Sequence, residues 1–391
     1  MPLDEPTALA RLTLAGGPVL PRRQLLDQLG TPTAVLAAGA STWRAAGLGD
    51  AQIKAMRDPD PAILQRTLSW LQAAQHHLIG WHDPDYPAHL RRIASPPLAL
   101  FVEGDPSLLW HPSVAVVGSR SPTAGGRDNA HAFSRALAST GIAVVSGLAA
   151  GIDAIAHEAA LGVAGGITVA VVGTGPDVAY PPSHADLRDR VAAQGAIVSE
   201  HAPGTLAIRS HFPSRNRILA GLTLGTLVIE AAERSGALIT ARQAGEAGRE
   251  VFAVPGSIHN PMARGCHRLI REGAGLVESA QEVIAAIAPL AHELASALRE
   301  RLGETESAAI SSASATLPSL DPDYQQLWQA LGHDPTGMDQ LVARTGLTAA
   351  ELSSMLLVME LDGLVTVEHG RYLRKTGFFT STASLTQAEG Q

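Results

Sequence analysis

The residues best equipped for chemistry gather in three short segments, each beside an apolar run. The densest is HFPSRNRILAGL, residues 211–222. Ser214 reads as a helix N-cap, which puts Arg215, Asn216 and Arg217 in the first turn of the helix that follows. A helix start carries partial positive charge, so each cation there costs a few tenths of a kcal/mol, roughly up to 1. An anionic partner reverses that sign. A phosphate over the first turn would meet backbone amides, the dipole and two guanidinium forks together. Arg209 and His211 add positive potential just upstream. Phe212, if exposed, offers a flat face to a nucleobase, worth about 1 to 3 kcal/mol in single-strand binders. The structural alternative is that Phe212 belongs to a core and the arginines pair with acids such as Glu200 or Glu230.

The second segment, Gly118-Ser119-Arg120, follows the run Val114 to Val117. Its glycine permits close backbone approach, and Arg120 could reach an anion there. The third runs from Ser146 and Gly147 through Gly151 to Asp153 and opens a helix containing His157. Amides at such a start form a ready anion site, though a glycine after a strand is often only a turn. Neither loop has the G-x-G-x-x-G spacing, and G-x-x-x-x-G-K-[ST] is absent, so no motif supports a mononucleotide enzyme. Glu230 ends another apolar run, and a glutamate so placed is catalytic in some nucleotide-processing folds. No second acid, metal-ligand cluster or nucleophile–base pair accompanies it. Asp153 and His157, four apart, could pair on one helix face, or Asp153 could simply favour the first turn. Cys266 is the only cysteine. It reads as a small buried residue, and neither an internal disulfide nor a cysteine-based zinc site is expected. No cofactor or metal is expected.

The elements that must position these segments are legible from the alternation of apolar runs. Runs at 114–118, 142–147, 167–173, 196–200, 226–230, 251–256 and 274–277 are separated mostly by helical stretches. Uninterrupted apolar strands alternating with helices predict α/β architecture: a Rossmann-like, doubly wound, mostly parallel sheet over 111–288. Ligands bind such sheets outside the carboxyl ends of the strands. Residues 1–80 read as short helices, with Gly47-Leu48-Gly49 spaced as in helix-hairpin-helix units or a plain helical bundle. Residues 81–110 are a lead-in, 289–319 a linker, 320–376 a winged-helix-like domain and 377–391 a disordered polar tail. The expected recognition helix, Ala349 to Leu361, has no lysine or arginine and carries Glu351 and Glu360. That composition suits a partner or autoinhibitory surface better than duplex phosphate.

Across all 391 residues the net charge is -8, with 46% hydrophobic and 17% charged residues. Any basic site must therefore be local. Lys54 and Lys375 are the only lysines, so it would be built from arginine forks. No signal peptide and no apolar run of membrane-spanning length is seen, which predicts a cytoplasmic protein.

Several strings together resemble one family. VAVVGSRSPTAGG, VVSGLAAGIDAIAHEAAL, VAVVGTGPDVAYPPSHADL, IVSEHAPG, HFPSRNRILAGL, EAAERSGALITARQAGEAGREVFAVPGS and GCHRLIREGAGLV run in order across 114–277. They are similar to the DNA-processing protein A family (DprA, also called Smf), and DYPAHLRRIASPPLALFVEGD resembles its lead-in. The resemblance implies a non-enzymatic single-stranded DNA-binding protein that protects incoming strands in natural transformation and loads the recombinase RecA. It implies a homodimer, with His267, Ile270 and Leu276 near the interface. It implies that Arg120 contacts DNA, that Phe212 stacks on a base and that Arg209 contributes. Many relatives carry lysine after Tyr-Pro where this chain has Pro182; whether Arg188 replaces it stays open, as does which of Arg215 and Arg217 grips phosphate. The alternative function is a nucleotide-processing, phosphoribohydrolase-like enzyme of the same fold.

Overall fold

The computed structural model describes residues 4–306 and, beyond them, 326–327, 330–331, 336–348, 352, 355–356, 359, 365–368 and 371–374. The chain divides into two compact units, Met1–Arg301 and Leu302–Gln391.

The first unit opens with five helices: α1 Glu5–Leu14, α2 Leu20–Leu29, α3 Pro32–Ala45, α4 Asp50–Arg57 and α5 Pro61–Trp70. Their boundaries follow local chemistry. Gly30, at φ 83°, ends α2, and the Thr31 side chain caps α3 ahead of Pro32. Leu12, Leu25, Leu26, Val35, Trp43, Ile53 and Met56 close a core among these helices.

The rest of this unit is built on a nine-stranded sheet in the order β1-β2-β6-β5-β4-β3-β7-β8-β9. The seven expected strands are present: β3 Ser113–Val117, β4 Ala143–Ser146, β5 Thr168–Val171, β6 Ala196–Ser199, β7 Gly225–Val228, β8 Glu250–Ala253 and β9 Gly275–Leu276. They pair in parallel. Strands β3 to β7 are buried along their length, which is why they read as unbroken apolar runs. Two further strands, β1 His76–Gly80 and β2 Ala99–Gly104, add antiparallel to the β6 edge. They fall in the segments read as terminal helices and lead-in. The HHLIG of β1 lacks period-two alternation, because its two histidines lie on an edge strand.

Helices cover both faces. Between strands run α6 Ala88–Arg91, α7 Ala124–Ser139, α8 Ile152–Leu161, α9 Ala185–Gln194, α10 His211–Leu222, α11 Ala237–Glu246 and α12 Arg264–Arg271, and α13 Ala280–Glu306 follows. One face carries Ile218, Leu219 and Leu222 of α10, Ala237 and Ala241 of α11 and Leu269 of α12. The other carries Ala130, Phe133 and Leu137 of α7, Ile152 and Ala156 of α8, and Val283 and Ile287 of α13. The sheet is therefore doubly wound. Helix α13 continues through Pro289 to Glu306, so the first part of the expected linker is helical. Residues 307–319 and the expected tail lie outside the described residues.

In the second unit, Thr336–Gly337, Val365–Glu368 and Arg371–Arg374 form a three-stranded antiparallel sheet. The helix Met338–Thr345 ends on Gly346 in the left-handed region. Leu327, Leu331, Leu341, Leu352, Leu356, Met359 and Val365 are buried together. Part of the expected helix from Ala349 to Leu361 lies outside the described residues.

Candidate nucleic-acid interface

Strands β3 and β7 lie side by side, Val114 opposite Gly225 through Val117 opposite Val228. The chain leaves β3 for α7 on one face and β7 for α11 on the other. Their connecting loops diverge, and a crevice opens at this switch point. It holds a cleft of about 860 Å³ lined by Gly118, Ser119, Arg120, Arg209, Phe212 and Asn216, among others. Four arginines (Arg120, Arg209, Arg215 and Arg234) and one acid, Asp153, line it. In a chain of net charge -8 that is a local concentration of positive charge.

Helix α10 starts earlier than the sequence suggested. It begins at His211 after Ser210, so Ser214 is not its N-cap and Arg215 to Arg217 fall in the second turn. Pro213 occupies the third helical position, where a missing N–H leaves no intrahelical bond unmade. The Ser214 hydroxyl donates back to the His211 carbonyl at 3.1 Å. The two arginines are consequently held by the fold. Arg215 is 4% exposed and donates to the Val171 carbonyl of β5. Burial lowers its pKa to about 10, and the facing Asp153 opposes that fall. Burial raises the Asp153 carboxyl, against Arg215 and the amides of Ala149 and Gly147. Arg217 forms a two-pronged pair with Glu200 and also donates to the Ser214 carbonyl at 3.0 Å.

The groups left facing the cleft are different ones. Arg120 is exposed, its guanidinium carbon 5.9 Å from the centroid of the Phe212 ring. Phe212 is half-buried, with the Tyr180 ring 5.1 Å away on centroids. Arg209 and Arg234 are exposed. Among the described residues, Arg120, Arg209 and Arg234 form no ion pair.

The second glycine segment braces the first instead of opening to solvent. Ser146 is buried and donates to the Val116 carbonyl at 2.6 Å. The Gly147 amide donates to Asp153 at 3.1 Å, and the Ile152 amide to the Ser119 carbonyl at 3.1 Å. These amides at the start of α8 are therefore already occupied. A Cβ on Gly147 would lie 1.9 Å from the Arg215 Nη1, and one on Gly151, at φ +85°, 2.3 Å from the Ser119 carbonyl. One on Gly118 would meet Ile152 at 2.7 Å. These glycines are required by close packing that aims Arg120.

Glu230 is 4% exposed. Its carboxylate accepts from the Thr123 hydroxyl at 2.7 Å and the Thr123 amide at 3.2 Å, and its carbonyl accepts from the Ser119 amide at 2.8 Å. It anchors the Arg120 loop to the start of α7. Asp153 and His157 do not pair: the His157 Nδ1 bonds Thr168 at 2.7 Å. Arg188 is tied to Glu103, to Asp189 and to the Pro176 carbonyl. Cys266 is fully buried, and burial raises its thiol to about 11. On the far edge, Leu276 of β9 is 49% exposed, while His267 and Ile270 of α12 are half-buried. Sequence reasoning passed over Tyr180 and Arg234 as cleft residues. Each lay inside a quoted motif, but neither stood beside a strand end or in a basic cluster.

Two family models match the chain: DNA recombination-mediator protein A over residues 77–288, and the DprA winged helix domain over 311–371. Protein Smf of Escherichia coli is 39% identical over 312 residues, covering 80% of each chain. The DNA processing protein DprA of Streptococcus pneumoniae is 48% identical over 203 residues, 52% of this chain and 71% of that protein. Its X-ray structure superposes with a TM-score of 0.65 at 37% identity, covering 73% of this chain and 98% of that one. A structure of DNA processing protein A from Helicobacter pylori, described for its single-stranded DNA binding mode, gives a TM-score of 0.50 at 28% identity and covers 55% of this chain and 96% of that one.

Proposed function

We propose, for a chain that belongs to the DNA recombination-mediator protein A family, that the cleft at the β3–β7 switch point binds single-stranded DNA. The observation that carries this reading is Arg120 standing over the half-buried Phe212 ring in a cleft lined by four arginines and one acid. Cation and ring together suit a strand whose phosphates face outward and whose base is free to stack. A duplex keeps its base faces covered, so the same cleft discriminates against it. Arg120, Arg209 and Arg234 are read as the phosphate contacts, Phe212 as the base platform and Asn216 as a polar contact at the rim. Arg215 and Arg217 are read as scaffold, holding α10 to β5 and to Glu200.

The site is read as a binding site and not a catalytic one. Glu230, beyond the end of β7, is buried and spends both oxygens on Thr123. Protection of incoming strands in natural transformation and loading of RecA are proposed with the family. So is a homodimer, supported by Leu276, 49% exposed on the edge strand. A cytoplasmic location is proposed alongside; no described helix is long and apolar enough to cross a membrane.

Fluorescence anisotropy with labelled oligo-dT and a duplex of equal length, over a salt series and with and without RecA, tests the reading. Salt-sensitive binding that prefers the single strand is expected. Equal affinity for both forms would overturn it.

A further inference from the structure

Tyr180 is 42% exposed, lines the cleft and sits 5.1 Å from Phe212 between ring centroids, with the rings inclined at 43°. Among the described residues its hydroxyl has no hydrogen-bond partner. A tyrosine that merely completed the core would be covered, and one held for its polar end would have a partner. Because the rings are tilted, their outward faces point in different directions and cannot serve one base. The segment before α10 adds Ala207 to the same cleft lining. Tyr180, Phe212 and Ala207 give the cleft apolar groups, whereas Arg120, Arg209 and Arg234 supply the charge.

We propose that Tyr180 forms a second nucleobase subsite beside Phe212, so that the cleft receives two splayed bases of one strand. The proposal rests on the single-strand reading of the cleft. The expected occupant is a base of either size, since stacking on an aromatic face needs no hydrogen-bond pattern.

The test measures dissociation constants by anisotropy for oligo-dT and for an abasic strand of the same length, over a salt series. Wild type is compared with Tyr180→Ala, Tyr180→Phe and Arg120→Ala. Tyr180→Ala is expected to bind oligo-dT about tenfold more weakly, with an unchanged salt slope and little loss on the abasic strand. Tyr180→Phe should stay within about twofold of wild type, because the ring and not the hydroxyl does the binding. If Tyr180→Ala matches wild type while Arg120→Ala weakens, the second subsite is wrong and the single-strand reading stands. Equal losses of Tyr180→Ala on both strands would reduce Tyr180 to a structural residue. If wild type itself fails to bind oligo-dT, the underlying reading falls first.

Discussion

Arg217 and Glu200 meet through two parallel contacts, Nη2 to Oε2 at 2.6 Å and Nη1 to Oε1 at 3.0 Å. Both side chains are less than a fifth exposed, 18% and 15%. The pair ties the second turn of α10 to the residue that follows β6. A fork so engaged has little left to offer a phosphate. A pair this enclosed lies between an exposed one and a fully buried one, so Arg217→Ala should cost about 2 kcal/mol of stability, read from urea denaturation. Its DNA affinity should fall only through displacement of Phe212, with the salt slope intact. A lower salt slope at unchanged stability would return Arg217 to the phosphate contacts.

Arg120, which forms no ion pair among the described residues, should behave in the opposite way. Arg120→Ala is expected to leave the urea midpoint near wild type and to flatten the dependence of log affinity on log salt by about 0.7, the increment for one phosphate on a single strand. Arg209→Ala and Arg234→Ala should each do the same. Phe212→Ala should instead weaken binding by about 1 to 3 kcal/mol at constant slope. A Phe212→Ala variant that binds as wild type does would remove the base platform.

How much of this was legible in the sequence depends on whether the signal was local. Strands β3 to β7 were readable because full burial forces continuous apolar runs, and the crevice followed from where those strands end. Strand β1 was hidden because an edge strand needs no such run. The start of α10 was misplaced by four residues: Ser214 looked like a cap, but the cap position is Ser210 and Pro213 fits inside a first turn. The partner of Arg217 lies 17 residues away, across a strand end. That of Arg215 lies on β5, so only the fold could show which arginines were spent. Tyr180 and Phe212 meet only in space, so no spacing rule joins them.

Glu230 provides the sharpest contrast between binding and turnover. Glu230→Gln keeps the shape but weakens charge-assisted bonds to Thr123, and should cost roughly 1 to 3 kcal/mol in stability. Wild type incubated with nucleoside monophosphates should release no free base, followed by chromatography. Release that disappears in Glu230→Gln would make the protein an enzyme.

The exposed Leu276 on strand β9 carries the assembly prediction. A charge placed on that edge opposes burial in any second copy. Leu276→Arg should shift the mass measured by light scattering from dimer to monomer and leave the urea midpoint nearly unchanged. A wild-type monomer at micromolar concentration, or a dimer that survives the substitution, would place the interface elsewhere or nowhere.

Acid sensitivity follows from His157. The Thr168 hydroxyl donates to the Val144 carbonyl at 2.8 Å, so it accepts from the His157 Nδ1–H at 2.7 Å. The other ring nitrogen is buried without a partner, which fits a neutral imidazole. Burial, then the charges of Arg215 and His184, hold its pKa down to about 3. The pKa is depressed on folding, so the native state binds fewer protons than the unfolded chain between about pH 6.5 and pH 3. The contribution is present above about pH 6.5 and is lost as pH falls through that window, by about 1.4 kcal/mol per pH unit. His201, pushed down to about 4 chiefly by burial, acts in the same direction. Urea denaturation of wild type and His157→Asn between pH 7.5 and 5 isolates the effect, because the comparison is of slopes and not of absolute stabilities. The variant should lose about 2 kcal/mol less than wild type over that range. Parallel curves would mean that His157 is protonated in the native protein or already neutral in the unfolded chain.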